Sequence, residues 1–327
     1  MDSGLTVSVI IPTYNRKSWL RETLQSLCGQ TWPASHLEVI VVDDGSEDGT
    51  EAIASEAFPF TLRYIQQSNQ GDAAARNTGA RQSQSDVLVF LDDDVLVEPE
   101  YLACLVHEHE SFHNRIVVGT EYLWLKESNP LSHDSAIHTV LDKQQTVEIP
   151  FANVCSNNMS LRREAYFSIG LMQGLDFPGS SIWCDVDFNY RAYRQGYAFY
   201  RSPGAICWHR DYVARSLDNQ KRRMREVAYR AVVLFQRHPD LLPHLPMFED
   251  KTPIAWGQDP IRLVARKVAR TITSSRPALW IMERLAGILE ERRLPPRTLR
   301  PFHRWIVGGY ISQGYREGLR EFRPVRE

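Results

Sequence analysis

Two strand-like runs of the 327-residue chain end in carboxylates. LEVIVVDDGS (37–46) carries Asp43 and Asp44, and DVLVFLDDD (86–94) closes on Asp92, Asp93 and Asp94. Alternate residues of an extended chain share a face, so Asp92 and Asp94 belong together and Asp93 faces the other way. Two carboxylates so placed suit one hard divalent cation, Mg2+ or Mn2+, which takes oxygen ligands and bridges two phosphates of a nucleotide diphosphate. Adjacent acids repel unless a cation or a basic partner stands by. DDD alone fits a solvated turn or a helix N-cap equally well. A second acidic strand end 48 residues earlier, at Asp44, moves the balance toward function.

These carboxylates act together only if the intervening elements converge. TVSVIIP (6–12) is an apolar run ending at Pro12, as a buried strand would. A helix is expected from about Arg16 to Gly29, with Trp19, Leu20, Leu24 and Leu27 at helical spacing. Next come the strand LEVIVVDDGS, a helical stretch near Thr50–Ala57, a third strand TLRYIQ, a helix over Asp72–Gln82 and the strand DVLVFLDDD. This alternation predicts an α/β fold, a parallel sheet wound with helices, whose ligands bind beyond the carboxyl ends of its strands. Both acidic clusters sit at such ends.

Residues 95–215 lose the alternation and read as a sheet extension with long loops. Helical spacing returns over Leu217–Arg237, with Met224, Val227, Ala228, Ala231, Val232 and Phe235 as the expected buried face. A proline-rich joint (Pro239, Pro243, Pro246, Pro253, Pro260) leads to amphipathic helices near 261–273, 277–293 and 301–322. No internal repeat occurs.

Six motifs carry a resemblance: VSVIIPTYNR (7–16), VVDDGSEDGT (41–50), NQGDAAARNTGA (69–80), FLDDD (90–94), CSNNMSLRRE (155–164) and WCDVDFNYRAYRQGY (183–197), with His209 beyond. They stand in the order and spacing of family 2 glycosyltransferases, which the chain resembles over about residues 6–210. The resemblance implies a GT-A fold, with a Rossmann-like, mostly parallel sheet flanked by helices, over 1–215. A helix and joint (216–260) and a basic helical tail (261–327) follow as a C-terminal helical extension. It implies a metal-dependent inverting transfer from a nucleotide-diphosphate sugar, with a UDP-sugar as first expectation, to a hydroxyl of a glycan or glycolipid. Pro12, Tyr14, Asp43, Asp44, Gly71, Arg76, Asp92 and Asp93 are then nucleotide-binding, Tyr14 packing on the base. Asp92, Asp94 and His209 are metal ligands. Trp183, Asn157 and Asn158 face the acceptor.

The resemblance makes Asp185 the general base, with Asp187 as a weaker candidate that otherwise caps a helix. The family's Glu-Asp pair is Cys184-Asp185 here, and loss of that like charge tends to lower the pKa of Asp185. The departure opens a second reading, a catalytically weakened nucleotide-sugar-binding partner. Structural roles stay open for several of these residues: a core Tyr14 or Trp183, a capping Asp44, an ordinary salt bridge at Arg76, turn residues at Asn157 and Asn158. A dinucleotide oxidoreductase is disfavoured, because no GxGxxG follows the first strand.

With 43% apolar and 24% charged residues the composition is that of a globular protein. No run of about 18 uncharged apolar residues occurs, so no transmembrane helix is expected. MDSGLTVSVIIP lacks the basic start of a secretory signal. Five scattered cysteines without CxxC predict inert thiols in a reducing cytoplasm rather than disulfides or a zinc site.

The net charge of −2 conceals a polarity. Residues 1–260 hold 23 Lys and Arg against 34 Asp and Glu, and residues 261–327 hold 15 against 6. In the tail, Leu279, Trp280, Met282, Leu285, Leu289, Phe302, Trp305, Ile306 and Tyr310 accompany arginines. Such helices either lie weakly on the anionic inner face of a membrane or bury their apolar faces within the protein or against a second copy. No nucleic-acid module is visible.

Overall fold

The computed structural model describes residues 4–123, 146–175, 182–210, 216–292 and 296–322. They form two compact units, and the division falls after Arg210; the expected boundary at residue 215 lies outside the described residues.

The first unit is built on one sheet. Its strands are β1 (Val7–Thr13), β2 (Leu37–Asp43), β3 (Thr61–Gln66), β4 (Val87–Leu91), β5 (Val95–Val97), β6 (Arg115–Leu123), β7 (Val147–Glu148), β8 (Asn158–Arg162) and β9 (Ala198–His209). Helices α1 (Lys17–Leu27), α2 (Asp72–Gln82), α3 (Tyr101–Glu110), α4 (Arg163–Ile169) and α5 (Cys184–Arg194) accompany it. The order is β3-β2-β1-β4-β8-β6-β9-β5, with β7 also on β9. From β3 to β4 all pairing is parallel. The central strands β1, β2 and β4 read as largely apolar runs because both of their faces are covered, whereas β3 (TLRYIQ) is only partly buried. Val9, Ile11, Val39, Val41 and Val89 pack with Leu20, Leu24 and Leu27 of α1.

Residues 95–210 add β5 to β9 to the same sheet. Pairing there is antiparallel at β4–β8, β6–β8 and β5–β9. Antiparallel neighbours need no crossover helix, so the strand–helix rhythm disappears from the sequence although the sheet continues. The stretch near Thr50–Ala57 is a short 3-10 helix, Thr50–Ser55.

The strand order reverses between β1 and β4, the place where open α/β sheets form a crevice. Pairing of β1 with β4 stops at Ile10 opposite Phe90, while β1 stays on β2 as far as Thr13 opposite Asp43. Pro12, which lacks a donor, stands beyond the last β4 partner, where proline is tolerated in a strand.

The second unit contains α6 (Leu217–Arg237), two short 3-10 turns at Pro239–His244 and Pro246–Phe248, α7 (Ile261–Thr273), α8 (Arg276–Glu291) and α9 (Pro296–Glu321). Helix α9 starts five residues before the expected 301 and contains Pro301. Helices α6 and α9 pack together. Ala228, Ala231, Val232 and Leu234 of α6 are buried, and Phe235 meets Phe248 and Tyr315 edge-on. Gly314 and Gly318 lie against the carbonyls of Arg225 and Tyr229, where a Cβ would collide. The glycine spacing of GGYISQGYREGLR therefore serves a close helix contact.

The apolar set of the tail, expected either on a membrane or in an interior, divides in the structure. Leu279 and Ile306 are buried and Met282, Leu289, Phe302 and Tyr310 are partly covered, forming the interior of this unit, whereas Trp280, Leu285 and Trp305 are exposed. No described helix is long and apolar enough to cross a membrane.

Candidate active site

The loops after β1 and β2 are tied to one another. Asn15 sits in the left-handed region (φ 53°). Its N–H donates to Ser46 Oγ (2.8 Å), and its Oδ1 accepts the Glu47 N–H (2.8 Å). The preceding Tyr14 is thereby held at the rim of the crevice, 48% exposed. Asp43 accepts the Ser46 N–H (2.8 Å) and the Tyr64 hydroxyl. Asp44 accepts Gln67 Nε2 (2.7 Å) and the N–H groups of Gln70 (2.9 Å) and Gly71 (2.7 Å). Both carboxylates are buried: Asp43 shapes the loop after β2, and Asp44 the loop that enters α2. Gly71 leads into the helix with φ 89°, a conformation that favours glycine.

At the end of β4 two arginines serve the three acids. Asp93 accepts Thr13 Oγ1 (2.8 Å), and Arg16 Nη1 spans Asp93 (3.0 Å) and Asp94 (3.1 Å). Asp92 accepts from Arg76, which also holds Asp72 (2.8 Å). Asp92 and Asp94 thus face different cations, although the i, i+2 spacing groups them. Burial pushes the Asp93 carboxyl up to about 7, with Arg16 opposing the rise and Asp94 adding to it.

β5 lies on β9 with Val95 opposite His209, which brings Asp94 beside that ring. His209 Nε2 is 3.5 Å from Asp94 Oδ1, a buried atom with no hydrogen bond. The other ring nitrogen, Nδ1, meets Glu121 Oε1 at 3.1 Å. Burial alone would lower the His209 pKa, but the two carboxylates raise it to about 10. Glu121 Oε2 accepts the amides of Asn157 and Asn158 (3.0 Å from the latter), and Asn158 Oδ1 accepts the Gly119 N–H (2.8 Å). The side chains of Asn157 and Asn158, expected at the acceptor, are turned to Glu121.

Among the described residues no three His, Cys, Asp or Glu side chains converge into a metal cluster. Asp94 and His209 nevertheless fit a divalent cation as a partial site. The orphaned Asp94 Oδ1 faces Nε2 of a histidine whose Nδ1 is oriented by a carboxylate, the usual support of a metal-binding imidazole. Mg2+ and Mn2+ sites of nucleotide enzymes use one or two protein ligands together with substrate phosphates.

On the opposite side of β4, Arg76 is 2% exposed and its pKa is raised: burial works against the charge, and Asp92 and Asp72 overcome it. Asp185, in the first turn of α5, lies in the field of this guanidinium. Burial raises the Asp185 pKa, partly offset by the Val186 N–H (2.8 Å) and by Arg76. Asp187 differs: it is fully buried and bonded to Arg191 Nε (2.9 Å), which also holds the carbonyls of Ile169 (2.8 Å), Gly170 and Leu171 (2.7 Å). Its carboxylate orients the arginine that holds the carbonyls at the end of α4. Cys184 is buried, so the thiol that replaces the expected glutamate is core. Trp183, partly exposed, adopts φ 71° just before the helix.

Sequence reasoning assigned no role to Thr13, Arg16 or Glu121. Thr13 and Arg16 lie inside the quoted VSVIIPTYNR. Glu121 had only the signal of an acid following the apolar run RIVVGT.

Residues 8–169 match the family model described as Glycosyl transferase family 2. Glycosyltransferase AglE of Haloferax volcanii is 44% identical over 99 residues, 29% of this chain and 33% of that protein. Glycosyltransferase GlyA of Streptococcus pneumoniae is 36% identical over 118 residues, 36% of this chain and 17% of that protein. The chain thus spans about a third or less of the curated relatives it matches. In overall structure it is similar to the mannosyltransferase PcManGT from Pyrobaculum calidifontis, in complex with GDP-Man and Mn2+, with TM-score 0.60, 20% identity and coverage of 95% of this chain and 88% of that one. The fold is that of the GT-A glycosyltransferases. With the β1 crevice, both acidic strand ends and β8 inside the matched segment, the chain belongs, through residues 8–169, to glycosyl transferase family 2.

Proposed function

We propose that the chain is a metal-dependent inverting glycosyltransferase that moves a sugar from a nucleoside-diphosphate sugar to a hydroxyl of a glycan or glycolipid. The observation that carries this reading is the shared field of Arg76, which pairs with Asp92 at the end of β4 and reaches Asp185 at the start of α5. This supports a site in which the strand end where α/β folds bind nucleotides acts together with an available carboxylate. The GDP-Man complex of PcManGT supports a nucleotide-sugar donor; uridine is the first base to test.

In this reading the exposed face of Tyr14 stacks on the base. Asp93 and Arg16 line the donor, and Asp94 with His209 hold the divalent cation. That cation, when bound, supplies positive charge to the departing diphosphate. Asp185 takes the acceptor hydroxyl proton as the oxygen attacks the anomeric carbon opposite the diphosphate, which inverts the configuration. A carboxyl raised by burial is a stronger base than an exposed one. Asp187 is committed to Arg191, and Trp183 borders the acceptor.

Asp185→Asn tests the assignment. kcat should fall by roughly 100-fold or more, while the donor raises the melting temperature as it does in the unaltered protein. Retained turnover would remove Asp185 from the role. Donor binding without turnover on any acceptor, in the unaltered protein, would instead support the weakened-binder reading.

A further inference from the structure

Helix α7 is amphipathic in the inverse sense. Two of its four cations point inward: Lys267, 5% exposed, bonds Asp259 (2.6 Å) and the Pro253 carbonyl (3.0 Å), and Arg270 bonds Asp250 (3.1 Å) and lies over the Trp305 ring. Leu263 and Val264 are partly covered, but three of its large apolar side chains point outward. Ile261 (82% exposed), Val268 and Ile272 (65%) recur at i, i+7 and i+11, a single stripe with Ala265 between them. Burying cations while exposing isoleucines is the reverse of what water selects. Helix α8, packed on α7, buries the apolar Leu279 and Ala286 but likewise exposes Trp280 (60%), Ile281, Leu285 and Ile288.

The charge around these stripes selects their occupant. Helix α7 has no acidic residue, and Arg262 and Arg266 are exposed beside its stripe, Arg266 also pairing with Glu249 (3.1 Å); Arg276, Arg284 and Arg292 are exposed on α8 or at its end, where the exposed acids, Glu290 and Glu291, are confined to the last turn. A second copy of the same surface would set arginine against arginine. An anionic partner with an apolar interior satisfies both features, and tryptophan at an apolar–polar boundary matches it. We infer that the outward stripes of α7 and α8 dock this protein on an anionic phospholipid bilayer. The isoleucines, Leu285 and Trp280 enter the headgroup–acyl boundary, and the exposed arginines meet lipid phosphates. The inference is independent of the catalytic reading.

Co-sedimentation of the full chain tests it, using phosphatidylcholine vesicles with and without about 30 mol% phosphatidylglycerol. The chain should bind the anionic vesicles at least about 10-fold more tightly than the neutral ones, and added salt should weaken the binding. The triple variant Ile261→Ser, Val268→Ser, Ile272→Ser should lose about 10-fold or more of that affinity with unchanged circular dichroism, since these side chains are exposed. Ile261→Ser alone is the milder variant should the triple one be unstable, and it should weaken binding in the same direction. Arg262→Gln with Arg266→Gln should reduce the anionic preference. Absent binding to anionic vesicles, or undiminished binding by the folded serine variants, would overturn the proposal. So would a dimer that the serine variants dissociate and that binds no vesicles, which would assign the stripes to a second copy.

Discussion

Glu121 is the residue on which the histidine side of the site depends. One oxygen meets His209 Nδ1, and the other accepts from Asn157 and Asn158. The imidazole is therefore fixed with Nε2 toward Asp94. Glu121→Gln keeps the shape, but its single carbonyl oxygen cannot serve both sides and its amide opposes another donor. If Asp94 and His209 hold the cation, the Mn2+ concentration giving half-maximal activity should rise by about 10- to 100-fold, the scale of a lost orienting partner. kcat at saturating Mn2+ should change far less. A metal titration of both proteins separates these effects, and an unchanged Mn2+ requirement would detach Glu121 from the role. The same network gives Asn157 and Asn158 a partner that their sequence does not announce. Their spacing marks a strand start at a site, but only the fold supplies the carboxylate, from a strand 36 residues earlier, that absorbs both amides.

At the scale of elements, α3 carries an acid-sensitive residue. His109 is fully buried, with Nε2 at 2.9 Å from Ser160 Oγ, and that hydroxyl in turn donates to the Val117 carbonyl (3.1 Å). Nε2 therefore carries the hydrogen, and Nδ1 is left without a partner. Burial, with Arg162 and Arg115 nearby, lowers the His109 pKa from 6.5 to about 3. Below pH 6.5 the unfolded chain takes up a proton that the folded chain refuses until about pH 3. Stability contributed here is complete above 6.5 and is lost as the pH falls through that window. His109→Gln still donates to Ser160 and does not titrate, so its urea stability should depend less on pH, by about 2 kcal/mol between pH 7 and 5. An identical pH dependence in the two proteins would refute this.

Helix α9 makes a separate prediction. Gly318→Ala drives a Cβ into the Tyr229 carbonyl and should cost about 1–3 kcal/mol in the second unit, read by thermal unfolding. Elements with one period and one neighbour type were legible in the sequence: β1 to β4, α1, α2 and α7 stand close to where pattern put them. The direction in which α7 and α8 face was not, because an apolar stripe has the same spacing whether it meets a core or water.

At the scale of the whole molecule, the chain closes two separate interiors, and ligands should distinguish them. The sheet unit buries β1, β2 and β4 against α1, whereas the helical unit closes on α6 and α9. Every residue assigned to the donor, the cation or the acceptor lies between Pro12 and His209, in the sheet unit. A ligand that binds only a folded unit stabilises that unit by about 2.7 kcal/mol at 100 times its dissociation constant. UDP-sugar with Mn2+ should therefore raise the transition of the sheet unit and leave that of the helical unit in place, while Gly318→Ala should do the converse. Scanning calorimetry of the full chain, with and without donor and Mn2+, resolves the two effects. If donor raised both transitions equally, or if Gly318→Ala lowered the donor-sensitive one, the two interiors would unfold as one. The −11 and +9 charges of residues 1–260 and 261–327 would then belong to a single cooperative body.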